Sequence, residues 1–244
     1  LVTEMVKDGK EFTELQGVMG REYALHSGET PEVARAIHEH YMPRFAGDAL
    51  PGSPAGVVLS ISDKIDSIVG CFSVGLIPTG SQDPYALRRQ AIGLVRVVDE
   101  GGLPISLDGL VRQAAAGYGV EAEALTELVD SVMSFMRLRA RTLFIDGGHA
   151  YDLVDAVLES SFDELVGVRP RLMALGHFRA EDDFEGLVIG ARRAMNILKG
   201  QSPGELDAGA LVEPASKALN EARNDVEGAV DSAIAAGDFD AAVR

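Results

Sequence analysis

The stretch Leu76–Arg89, LIPTGSQDPYALRR, decides how the rest of the chain is read. A proline, a Thr-Gly-Ser turn and an Asp-Pro pair run directly into an apolar-periodic segment. Asp83 can accept an orphan backbone N–H at a helix start, and Pro84 suits the first helical position, where a missing N–H has no partner to lose. The pattern predicts a corner followed by a helix over Pro84–Glu100, with Leu87, Ala91, Leu94, Val95 and Val98 as its buried stripe. The chain before the corner reads as one helical block and the chain after it as another.

Upstream, Leu1–Lys7 reads as a helix tail and KDGK (7–10) as a turn. Phe12, Leu15, Val18, Met19 and Tyr23 keep helical spacing, which predicts an amphipathic helix over Glu11–Leu25. Gly28 stops it, and Thr30 caps a helix over Pro31–Tyr41 with Pro31 at its first position. A Pro- and Gly-rich loop, MPRFAGDALPGSP (42–54), precedes a strongly apolar helix over Ala55–Gly75.

Downstream, helices are expected over Ser106–Tyr118, which starts with a Ser cap, Glu121–Asp146 and Tyr151–Glu159. Leu125, Leu128, Val132, Phe135, Leu138 and Leu143 lie near one face of the long one. Phe162–Leu175 contains Pro170, which must kink or split it. Phe184–Lys199 carries an apolar stripe of Phe184, Leu187, Val188, Ala191, Met195 and Leu198. QSPGELDAG (201–209) reads as a linker before an alanine-rich helix over Pro214–Ala236. Strand runs are missing, so the fold class is all-α.

The 244 residues are 46% hydrophobic and only 6% aromatic, with no tryptophan, and the net charge is −16. That length suffices for two modest helical domains. An acidic balance argues against a nonspecific nucleic-acid coat or an anionic-membrane binder, but leaves local basic patches possible. One cysteine, Cys71, rules out an internal disulfide and fits a reducing cytoplasm. No apolar run reaches membrane-spanning length. The chain opens without methionine and stops in mid-pattern, so it is expected to be a piece of a longer protein.

Phosphate-binding loops, dinucleotide fingerprints, GxSxG and CxxC are absent from the sequence. His38 and His40, two apart on a helix, diverge by about 200° and read as one packed and one solvated histidine rather than a ligand pair. Asp63 and Asp66 share a helix face and need a partner such as Lys64, a backbone group or a polar neighbour; structural use is preferred to catalysis. The basic clusters are more telling. Arg137, Arg139 and Arg141 alternate on the long helix, Arg192, Arg193 and Lys199 lie along a polar face, and Arg88, Arg89 and Arg96 follow the corner. Guanidinium forks suit phosphate oxygens, the plainer alternative being solvated faces with ion partners.

The segments 3–6 (TEMV), 11–25, 31–51 and 62–98 resemble the beta subunit of the bacterial two-subunit glycyl-tRNA synthetase. YDLVDAVL, RPRLMAL, ARRAMNILKG, EPASKAL and AAGDFDAA are similar to the C-terminal region of the same subunit. The resemblance covers nearly the whole chain in the family's order. The corner is its most specific part, and the KDGK turn, longer than the family's link, its one departure.

The resemblance implies an alpha2-beta2 assembly that joins glycine to its tRNA using ATP and magnesium. The alpha subunit would hold the aminoacylation site, and the beta subunit would grip glycine tRNA, with neither DNA nor membrane as partner. It implies an HD-like helical domain over 1–83 and a helical anticodon-binding-type domain over 84–244. His40 stands where HD domains often carry a histidine, and Asp63 matches the closing aspartate of their motif, but no His-Asp doublet occurs in the chain. The expectation is a degenerate, non-hydrolytic HD fold with no catalytic residue, metal or cofactor of its own. Arg137, Arg139, Arg141, Arg192, Arg193, Lys199, Arg88 and Arg89 are the candidate tRNA contacts. Tyr151, Phe178 and Phe184 are the candidate stacking aromatics, with core packing the plainer role for each. The alternatives are a metal-dependent HD phosphohydrolase and a noncatalytic helical scaffold.

Overall fold

The computed structural model describes residues 12–199 and 208–243. Among them every regular element is helical, with two isolated β-bridges and no strand. The helix tail and KDGK turn expected near the start, and most of the QSPGELDAG linker, lie outside the described residues. The chain forms two compact units, Leu1–Val166 and Gly167–Arg244.

In the first unit a 3-10 turn, Thr13–Leu15, precedes helix α1, Val18–His26. The single helix expected over Glu11–Leu25 is broken because Gly17 adopts φ +79°, and a Cβ there would meet the His38 carbonyl oxygen at 2.8 Å. Helix α2, Pro31–Glu39, starts as expected: the Val33 N–H donates to Thr30 Oγ1 at 3.3 Å, with Pro31 in the first turn. Helix α3, Pro54–Ser73, is capped by Ser53, whose Oγ accepts from the Gly56 N–H at 3.0 Å.

Ser53 is itself fixed by a buried carboxylate. Its N–H donates to Glu39 Oε2 at 2.8 Å, its hydroxyl donates to the same oxygen, and Arg35 Nε donates to Glu39 Oε1 at 2.6 Å. Burial works to raise the Glu39 pKa, but the hydrogen bonds from Ser53 and Arg35 prevail and hold it at about 2. This network ties the end of α2 to the start of α3.

Helix α3 is the axis of the unit. It packs against α2 and against helices α4 (Leu87–Glu100), α5 (Leu107–Gly117) and α6 (Ala122–Asp146), while α7 (Tyr151–Ser160) lies on α6. Ile61, Ile65, Ile68, Val69 and Phe72 of α3 are buried, as are Leu94, Val95 and Val98 of α4 and Val132 and Met136 of α6. Burying each such side chain stabilises by about 1.5–3 kcal/mol, which makes this core the main source of order. The break in packing therefore falls at Val166/Gly167; helices on the two sides of 83/84 share one core.

Two features of the long helices depart from expectation. On α3, Asp63 and Asp66 are exposed and need no internal partner, whereas Lys64 is buried. On α6 the buried seam is Leu128, Val129, Val132, Met136, Ala140 and Phe144, and Leu138 is half-exposed, so the seam is rotated from the predicted stripe.

The second unit holds α8 (Val168–Phe178), α9 (Phe184–Leu198), α10 (Pro214–Ala236) and α11 (Phe239–Val243). Pro170 splits the expected helix: a 3-10 turn, Leu165–Gly167, precedes α8, and Pro170 sits in the first turn of α8, where its missing N–H has no partner to lose. Helix α8 packs on α11, which also meets α10. The apolar stripe of α9 is present but uncovered: no residue of α9 is buried, and Met195 is 72% exposed.

Candidate nucleic-acid interface

The corner is built around Asp83, although its register differs from the prediction. Asp83 Oδ1 accepts from the Leu87 N–H at 2.8 Å and Oδ2 from the Arg88 N–H at 3.0 Å. Both carboxylate oxygens are therefore used as a cap, and the helix begins at Leu87 rather than at Pro84. Ala86 makes the junction with φ +54°, the left-handed region that disfavours a residue with a Cβ. Gln90 Nε2 donates to the Tyr85 carbonyl at 3.1 Å and fixes the turn from the helix side.

The arginines separate by their ion partners. Arg137 pairs with Glu159 at 3.1 Å, and Arg141 makes a bidentate pair with Asp155, so these two, four apart on α6, are committed to α7. Arg139 lies two residues from each and stacks over Phe135, its Cζ 4.7 Å from the ring centroid. Its Nε is buried without a hydrogen-bond partner. Burial lowers its pKa, the nearby charge of Arg88 lowers it further, and Asp83 opposes both. Arg139 thus belongs with the corner, not with Arg137 and Arg141.

The same sorting holds across the first unit. Arg21, Arg35, Arg44, Arg96 and Arg112 are each bound to a carboxylate. Among its described residues, the cations with no carboxylate ion pair are Lys64, Arg88, Arg89 and Arg139. Arg88 and Arg139 feel each other's charge, and Lys64 and Arg89 line one cleft. In the second unit Arg192, Arg193 and Lys199 are exposed, with no ion pair among the described residues.

The cleft has a volume of about 520 Å³ and lies between the loop after α2, helix α3 and the start of α4. Its wall includes Tyr41, Phe45 and Tyr85, together with Arg44, Lys64 and Arg89. Phe45 is 59% and Tyr85 52% exposed. Arg44 lies 5.7 Å from the Phe45 ring and is held by Asp48, whose carboxyl the Arg44 hydrogen bonds draw down to about 2 against the effect of burial. Lys64 Nζ donates to the His40 carbonyl at 2.9 Å, the Met42 carbonyl at 3.1 Å and Ser60 Oγ at 2.9 Å. Burial lowers its pKa to about 8, with Asp63 opposing.

Asp63 lines this cleft, whereas His40 lines a separate hollow between α1 and α2, its Nδ1 2.6 Å from the Ile37 carbonyl. Among the described residues no group of three or more His, Cys, Asp or Glu side chains could hold a metal ion. Of the candidate stacking aromatics, Tyr151 is exposed, and Phe178 and Phe184 meet edge to face at 5.5 Å. Sequence reasoning did not single out Phe45 and Tyr85. The available signal was an aromatic inside a Pro/Gly-bounded turn close to arginine, Phe45 beside Arg44 and Tyr85 before Arg88 and Arg89.

A family model described as "Glycyl-tRNA synthetase beta subunit" matches residues 1–159. The chain is 52% identical over 202 residues to a protein of Desulforamulus reducens named glycine–tRNA ligase beta subunit, covering 82% of this chain and 29% of that protein. Proteins of the same name from Geobacter sulfurreducens and Haemophilus influenzae are 44% and 43% identical. These alignments cover 96% and 98% of this chain and 34% of each relative. The chain therefore spans about a third of the length of these relatives.

Proposed function

The chain belongs to the glycyl-tRNA synthetase beta-subunit family, and from that premise we propose that it is an RNA-gripping part of a glycine–tRNA ligase. In this reading the ligase joins glycine to tRNA with ATP and magnesium at a site on the alpha subunit, in the cytoplasm. This chain supplies contacts to glycine tRNA and no bond-making group. In this reading the first 83 residues are HD-like and the rest is of the anticodon-binding type.

One observation carries the reading: the first unit's carboxylate-free cations gather at the corner. Phosphate contacts supply much of the affinity for RNA, and a guanidinium already bound to a carboxylate offers little to a phosphate. The corner group of Arg88, Arg89 and Arg139 is therefore the stronger candidate in the first unit, with Arg192, Arg193 and Lys199 as candidates in the second. Arg137 and Arg141 fall in rank.

The test is a titration of glycine-accepting and other tRNAs against the full chain at several salt concentrations. Arg88→Glu with Arg89→Glu should weaken binding. The slope of log K against log salt should flatten by roughly 0.7–0.9 for each phosphate that is no longer neutralised. Arg137→Gln with Arg141→Gln should change affinity much less. Unchanged tRNA affinity in the folded corner variant refutes the assignment.

A further inference from the structure

The cleft beside the corner has features that neither the helix bundle nor a general cationic surface requires. Its volume of about 520 Å³ lies within the ~300–1,000 Å³ range of small-ligand sites. Two aromatic rings, Phe45 and Tyr85, stand more than half exposed on its wall in a chain with few aromatics. A core role does not account for rings left this open.

The charges point the same way. Arg89 is exposed and has no hydrogen bond or ion pair among the described residues. Lys64 satisfies its donors with three oxygens, two of them backbone carbonyls, and none from a carboxylate. Its hydrogen bonds are complete but its charge has no bonded counter-ion. A buried ammonium in that state favours a nearby anion. Glu14 and Asp63 also face the cleft, and Arg44 is largely committed to Asp48. The anion's place is therefore at Arg89, with Lys64 behind it as a buried charge whose desolvation Asp63 offsets only in part.

We infer that this cleft seats one nucleoside phosphate unit, its base laid against Tyr85 or Phe45 and its phosphate drawn to Arg89 above the Lys64 ammonium. Stacking on aromatic rings combined with a positive wall is how single-stranded nucleic acid is held without sequence reading. A nucleotide within an RNA strand and a free nucleoside phosphate share this chemistry. The choice of RNA as the source rests on the RNA-gripping function proposed above.

The absence of tryptophan from the chain provides the assay. Tyr85→Trp introduces a single indole at the cleft rim, and a base stacked on it quenches its emission. The full chain carrying Tyr85→Trp is titrated with a short oligoadenylate, with AMP and with glycine-accepting tRNA, while tRNA binding is measured separately by filter retention. Saturable quenching by oligoadenylate, with labelled oligoadenylate displaced by excess AMP and its affinity weakened about tenfold or more by Arg89→Glu, is the expected result; the size follows from the worth of a hydrogen bond to a charged group. Quenching by AMP but not by oligoadenylate or tRNA keeps the seat and assigns it to a free nucleotide. Normal tRNA retention with no emission change, and with Arg89→Glu neutral, overturns the seat and leaves the RNA-gripping function standing. Loss of both signals in a folded chain overturns both. Should Tyr85→Trp fail to fold, Phe45→Trp reports from the same wall.

Discussion

Replacing Lys64 with methionine isolates the effect of one buried charge. Lys64 is 3% exposed, and its ammonium is bound to the His40 and Met42 carbonyls and Ser60 Oγ. Burial lowers its pKa from 10.5 to about 8. At 1.36 kcal/mol per tenfold, that difference corresponds to about 3 kcal/mol of stability withheld while the folded state must carry the charge. The sign follows from proton counting. Between pH 8 and 10.5 the unfolded chain binds more protons at this site than the folded one, so the Lys64 contribution rises with pH across that window. It is complete above 10.5 and lost as pH falls through 8. Other groups also titrate there, including Cys71 and Tyr118, whose pKa values burial raises, so the quantity to read is a difference. Urea unfolding of the parent and of Lys64→Met, followed by far-UV circular dichroism at a series of pH values, gives it. The parent should gain about 3 kcal/mol on the variant between pH 8 and 10.5. Lys64→Arg, charged throughout, should show no such gain over Lys64→Met. A parent-minus-variant difference that stays flat across the window would show that Lys64 is not held as a desolvated ammonium, and the charge argument for the cleft would fall with it.

Asp83→Ala removes acceptors for the Leu87 and Arg88 N–H groups and should cost about 2 kcal/mol, the upper range for a helix cap, with faster hydrogen exchange at those two amides. Ala86→Gly relieves a left-handed alanine and should stabilise by about 0.5–1 kcal/mol after the greater entropy of glycine in the unfolded chain is subtracted; a loss of stability in urea would refute the strained junction. Glu39, lowered from 4.5 to about 2, contributes about 3 kcal/mol that is present above pH 4.5 and lost as pH falls through 2, so the stability advantage of the parent over Glu39→Gln should shrink across that interval.

The caps were legible in the sequence because they depend on residue type and short spacing alone. Thr30 before Pro31 and Ser106 before Leu107 both act as expected, Ser106 accepting from the Gly109 N–H at 2.9 Å. Asp83 was legible as a cap but its register was not. Reaching Leu87 and Arg88 requires Ala86 to turn left-handed, a conformation that no propensity assigns to alanine. Lys64 was hidden for a different reason. A lysine between two aspartates reads as surface, and only its three-residue step from Ile61 and four-residue step to Ile68 place it on the buried face. The split among Arg137, Arg139 and Arg141 follows from helical periodicity, since residues four apart share a side and those two apart do not. What periodicity could not supply was Asp155 and Glu159, which neutralise one side from another helix.

Under the proposed RNA-gripping role, that neutralisation decides where a chain of net charge −16 keeps positive charge available. At physiological salt an exposed charge is felt over about 8 Å, so only the immediate neighbours of a guanidinium decide its field. Most arginines of the first unit lie within hydrogen-bond reach of a carboxylate and contribute little beyond it. At the corner Asp83 has both oxygens turned to backbone N–H groups and makes no ion pair with Arg88 or Arg139, although its charge reaches Arg139. The carboxylate that starts the helix is thus a cap rather than an ion partner, and the guanidinium groups beside it stay without a bonded carboxylate.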